Sequence, residues 1–256
     1  MLDLIKMETY KLRTTKLFII LAAVVFAVNG IFSAVIPIVT KLFTPDHTAP
    51  ATNLSDAVSS PFMFSLLLIP VFISAVSFLY SDFTGGYIKN VAGQVGDRGK
   101  LVIAKFIVLG LHNLIFFVLG ALSGLLGTAI GGQVVMDGAI LGGVMTLLLK
   151  WLLSMAVCSI LLFFAVGIRN KVLASIVAVL FSVSALSLVY LAVNTAAMNV
   201  LKIEGFDLGA YMPDALMNSV NAVTGNLVVN GLVVAAVFIA LFVTLTYMVF
   251  KKRDVK

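Results

Sequence analysis

Residues 17–39 form an apolar run of about 23 positions that holds no charged side chain. A helix of that length crosses the roughly 30 Å hydrocarbon core of a bilayer, whereas a signal-peptide core has only about 7–15 apolar residues. No convincing small-residue cleavage site follows, so the run is expected to be an uncleaved first span. Comparable runs recur over 61–80, 102–127, 139–166, 172–193 and 227–249. Within lipid a segment must satisfy its own backbone groups, and runs of this length do so as helices. Composition agrees: 61% of residues are hydrophobic and 11% charged, against about 25% charged in a soluble domain. The expected fold is an all-α integral membrane protein, one six-span domain over 1–256.

Charge placement gives an orientation. With both termini inside, the inner segments hold Lys6, Lys11, Arg13, Lys16, Lys89, Arg98, Lys100, Lys105, Arg169, Lys171, Lys251, Lys252, Arg253 and Lys256. The outer ones hold Lys41 and Lys202, and Lys150 lies within the fourth run. Acidic residues divide almost evenly, as expected when Lys and Arg alone set topology. The basic residues gather at the ends of apolar runs, not on one polar face, which argues against nucleic acid as a partner.

The segments between the runs carry further expectations. Residues 1–16 combine Lys6, Lys11, Arg13 and Lys16 with Leu2, Ile5, Tyr10 and Leu12, a pattern suited to a helix along the membrane interface. Residues 40–60 are polar with two prolines and read as a loop. Pro70 is expected to bend the second span, and Gly85-Gly86 to end it. Pro213-Asp214 can open a short outer helix whose Leu216, Val220 and Val223 share a face.

Asp82–Lys105 differs from everything else in the chain. It is polar and punctuated by glycine, yet Tyr87, Ile88, Val91 and Val95 recur at helical spacing, leaving an apolar stripe for a partner. Its GQVGDRGK stretch fails as a phosphate-binding loop. Gln94 stands where glycine is needed and Leu101 where Ser or Thr is needed. No other nucleotide site is visible.

The basic segment Glu8-Thr-Tyr-Lys11-Leu-Arg13, the six runs, and Asp82-x-x-Gly85-Gly86-x-x-Lys89-Asn90 with Arg98, Lys100 and Lys105 together resemble the type-2 permeases of bacterial ABC exporters. The similar members export antimicrobial or cytolytic peptides or confer immunity to them, including lantibiotic and bacitracin systems. The resemblance implies a non-catalytic permease in the bacterial cytoplasmic membrane, paired with a second permease chain. A cytoplasmic ABC ATPase subunit would carry ATP and Mg, with no cofactor on this chain. It makes residues 83–99 a coupling helix between spans two and three, with Phe83, Tyr87, Ile88, Lys89, Val91, Val95 and Arg98 facing the ATPase. Arg169 in the 167–171 turn would be a lesser contact. It also places short external helices between spans five and six.

Polar groups inside the spans supply the remaining candidates. Lys150 could face an anionic group in a pathway, but the favoured expectation is that it snorkels outward beside Trp151. His112 and Asn113 are expected to make interhelical hydrogen bonds, with a gating or relay role as the alternative. Gly120, Gly124, Gly127 and Gly131, with Gly138 and Gly142 beyond, suggest close packing of the third span on the fourth. A competing function is a stand-alone secondary transporter, which would want acidic or broken-helix ion sites in paired halves; the spans contain no Asp or Glu. A membrane enzyme finds no support, since His47, His112 and Cys158 form no evident metal set or nucleophile dyad.

Overall fold

The computed structural model describes residues 1–43, 51–62, 64–84, 99–199, 202, 205–220 and 225–252. It is an all-α bundle with almost no strand. Helix α1 (Leu2–Thr14) leads into α2 (Lys16–Phe43), a short strand β1 (Ala51–Asn53) and α3 (Leu54–Ser59). A 3-10 turn precedes α4 (Leu68–Thr84), and α5 (Gly99–Gly131) and strand β2 (Gln133–Val135) come next. Helix α6 (Ile140–Leu162) closes with a π-helical turn over Phe163–Gly167, ahead of α7 (Lys171–Ser182) and α8 (Ser187–Asn199). A 3-10 turn, α9 (Pro213–Ser219) and α10 (Gly225–Lys252) are the last described elements.

Among the described residues, five helices are long and apolar enough to cross a membrane. A sixth span exists if α7 and α8 count as one, and here the structure departs from the sequence. The apolar run 172–193 is not a continuous rod: the two helices meet at 71°. Ser184 at the break has φ +53°, a left-handed conformation that cannot continue a right-handed helix. Apolarity set the length of this run, but the backbone at Ser184 set its shape.

Pro70 does not fall in the middle of the second helix. The helix proper begins at Leu68, so Pro70 lies in its first turn, where its missing N–H has no intrahelical partner to lose. The expected loop at 40–60 also holds structure: β1 pairs in parallel with β2, Ala51 opposite Gln133, and α3 buries Ala57, Val58 and Ser59. Helix α4 is described as far as Thr84; Gly85 and Gly86, expected to end the span, lie outside the described residues. Pro213 takes the first-turn position of α9, whose Leu216 is buried beside Val220; Val223 lies outside the described residues.

The glycine face of α5 is buried against α2, not against α6. A Cβ at Gly127 would meet the Gly30 carbonyl and Ser33, and one at Gly131 would meet the Ala34 carbonyl. Asn29 seals this seam, donating to the carbonyls of Gly120 (2.9 Å) and Pro61 (3.2 Å) and to Ser123 Oγ (2.9 Å). Glycine spacing reveals that a helix face permits close approach, and it carries no information about which helix approaches. Gly143, by contrast, packs on the Ser55 carbonyl of α3.

Candidate functional site: the charged end of the bundle

Three sequence-distant regions meet at one end of the bundle. The last turn of α4 and the turn after α6 meet where Arg169 lies over the Phe83 ring, 5.5 Å from its centroid. The same guanidinium lies 5.9 Å from the ring of Phe250, near the end of α10. Gly99, at the start of α5, packs so closely on the Tyr247 ring that a Cβ would not fit. Arg169 has φ +61°, and Asn170 next to it caps α7, its side-chain oxygen accepting from Leu173 N (3.1 Å). Phe83 and Arg169 are thus brought together. Tyr87, Ile88, Lys89, Val91, Val95 and Arg98 lie outside the described residues.

Beneath this surface, four residues of the motifs that carry the family resemblance meet in a cluster that the sequence did not foretell. Glu8 of α1, Asp82 of α4 and Lys105 of α5 are fully or almost fully buried, with Lys11 of α1 at their edge. Lys105 pairs with Glu8 at 3.2 Å and also with Asp82; Lys11 pairs with Asp82 and stands 3.9 Å from Glu8. Both ammonium groups sit 5.6 Å from the centroid of Phe78. Among the described residues, two carboxylates and two ammonium groups make the set neutral, which is the condition under which buried charge is tolerable. Burial, and then the neighbouring Lys105 ammonium, pulls the Lys11 amine down to about 8, while Glu8 opposes the shift.

Helix α1 is therefore bolted to the bundle. Its inner face carries Ile5, Glu8 and Leu12, and Tyr10 and Leu2 point outward. The signal was present: Glu8 falls three residues after Ile5 and four before Leu12, in the middle of an apolar stripe. A lone glutamate in that position requires a buried cation, and Lys105 near the start of the third run is one.

The intramembrane candidates separate from one another. The His112 imidazole hydrogen-bonds Ser74 Oγ at 3.0 Å and packs between Phe18 and Phe116. Asn113 donates to Ser154 Oγ (2.7 Å) and Cys158 Sγ (3.5 Å). Both tie helices together, the role expected of them. Lys150 does not snorkel outward. It is 8% exposed and lines a cavity of about 360 Å³ between α4, α5, α6 and α9. Trp151 points elsewhere and donates to the Gly110 carbonyl at 3.3 Å. Their 100° separation around the helix sends neighbours to different faces.

At the opposite end α9 is held by Tyr190, whose hydroxyl donates to Asp214 Oδ1 at 2.9 Å. Burial raises the Asp214 carboxyl above its ordinary range, and the Tyr190 hydrogen bond opposes that shift. Asp137, before α6, is held below its ordinary range by the Ser55 hydroxyl.

No curated protein sequence matches the chain. The sequence profile described as ABC-2 family transporter protein matches residues 4–185, which includes α1, the buried charge cluster and the segment between α4 and α5. On that match, covering well over half of its length, the chain belongs to the ABC-2 family of transporter proteins.

Proposed function

We propose that this chain is the permease subunit of an ATP-driven exporter in the bacterial cytoplasmic membrane, with both termini cytoplasmic. It would move amphipathic peptides, toxins or lipid-like molecules out of the cell or out of the bilayer. A separate ATPase subunit binds and hydrolyses ATP with Mg, and docks on the segment 83–99 with Arg169 beside it. The observation that carries this reading is the meeting of Phe83 and Arg169 at the end of the bundle where the Lys- and Arg-rich segments gather. Movement of a docked segment would be passed through α4 to the buried charge cluster, and from there to α1 and α5 together.

An ATPase can bias only an equilibrium that already has two packings. The 71° break between α7 and α8 is a place where a span can change shape without breaking a continuous helix. The outward apolar faces of α2, with Ile20, Val24 and Ile31, and of α10, with Val229, Val233 and Val237, suit lipid and a second permease chain. A pathway between two chains is wider than one bundle of this size provides.

Co-expression with an ABC ATPase from its gene neighbourhood tests the reading. The expected result is a stable complex whose ATPase activity changes with permease present and is uncoupled by Tyr87→Asp or Val91→Asp. A complex indifferent to both substitutions would remove the coupling assignment. Orientation is tested separately by Asn90→Cys labelling in intact cells, where Cys158 is buried and adds little background. Protection is expected, and ready labelling from outside would invert the topology.

A further inference from the structure

The cavity around Lys150 is unlike the rest of the bundle's polar interior. Its wall carries Lys150, Ser60, Ser65 and Asn218 on an apolar floor that includes Phe62 and Phe117. Lys150 is 8% exposed and has no hydrogen bond or ion pair with any described residue. Eleven positions into α6, it lies about 15 Å along the helix from Ile140, near the middle of that helix. Among the described residues, the buried carboxylates are held elsewhere: Glu8 and Asp82 with Lys105 and Lys11, and Asp214 through one oxygen by the Tyr190 hydroxyl. A buried cation without a counter-charge is expensive, and such a residue within a membrane is by default a place for an anion.

We propose that this cavity is a binding site for the anionic headgroup of an amphiphile, a phosphate monoester on a single hydrocarbon chain. The Lys150 ammonium would neutralise the phosphate, Ser60 and Ser65 would donate to its remaining oxygens, and the chain would lie over Phe62 and Phe117, with Asn218 closing the rim. A volume of about 360 Å³ holds such a headgroup and a few methylenes, at the lower bound of small-molecule sites, and excludes a folded peptide. The site also touches the moving part of the fold. Asn218 on its rim donates to Ser184 Oγ at 2.7 Å, at the break between α7 and α8, so an occupied cavity would be coupled to that bend. The proposal deepens the exporter reading by naming a substrate class and rests on that reading for its meaning in transport.

The test is equilibrium binding of tritiated lysophosphatidic acid to the full-length chain in phosphatidylcholine nanodiscs, without ATPase. Saturable binding is expected, weakened about tenfold or more by Lys150→Met and largely restored by Lys150→Arg, because a charge-assisted hydrogen bond is lost and regained. Lysophosphatidylcholine should compete poorly, since its choline already neutralises the phosphate. Asn218→Leu, which narrows the rim and leaves the lysine, should also weaken binding and guards against a folding defect in one variant. Unchanged affinity in Lys150→Met, or equal competition by lysophosphatidylcholine, overturns the site. Equal competition by inorganic phosphate overturns the amphiphile and leaves a soluble anion. Since no ATPase is present, loss of binding leaves the permease assignment standing, and loss of the ATPase complex leaves the binding result standing.

Discussion

Two groups of buried charge in this protein are built on opposite terms. At the charged end, Glu8, Lys11, Asp82 and Lys105 satisfy one another across three helices. Halfway along α6, Lys150 faces a cavity with no counter-charge among the described residues. The first arrangement spends its electrostatics internally and fixes the relative positions of α1, α4 and α5. The second leaves a charge unsatisfied, which costs stability in the empty protein and is recovered only when an anion enters. Pairing marks a mounting, and the lack of a described counter-charge is what the proposed anion site rests on.

The contrast can be broken most forcefully at Lys105. Lys105→Met leaves Glu8 and Asp82 buried with too little positive charge, and should lower stability by about 3–5 kcal/mol. In detergent this reads as a large fall in the thermal unfolding midpoint or loss of a monodisperse peak. Lys150→Met should go the other way, neutral or stabilising by up to about 2.5 kcal/mol, because it removes an uncompensated charge. A midpoint that falls for both variants alike would erase the distinction.

Packing supplies a middle-sized effect against which both can be scaled. Gly131→Leu puts a side chain into the Ala34 carbonyl and should cost about 1–3 kcal/mol by prising α2 from α5. The same substitution at Gly142, which has nothing nearby, should cost little.

The smallest effect belongs to Asp214. Tyr190→Phe removes its hydrogen bond and should cost about 1–2 kcal/mol. Because burial raises the folded carboxyl above its unfolded value, the folded state holds this proton longer. Its contribution to stability is therefore present in acid and lost as pH rises through the raised value. Without the Tyr190 donor that value rises further, so the midpoint difference between the variant and the parent should shrink on acidification. A difference independent of pH would remove Asp214 from the account.

Much of the architecture was legible along the chain because lipid imposes a one-dimensional rule. A long uncharged run must be a helix, so the positions of α2, α5, α6 and α10 follow from where charges stop and start. Local chemistry was legible too, as in Pro213 opening α9. The failures were of a different kind. The glycine stripe on α5 could be seen while its partner α2 could not, and Lys150 could be found while its direction could not.

Sequence by itself thus determined the span positions, the crowding of basic residues at one set of ends, and family membership. The bend at Ser184, the four-charge mounting and the inward Lys150 were decided by tertiary structure. Each depends on which helix lies against which, and periodicity within one helix is silent about its neighbours. Hydrophobicity is a property of a segment; charge compensation is a property of the contacts between segments.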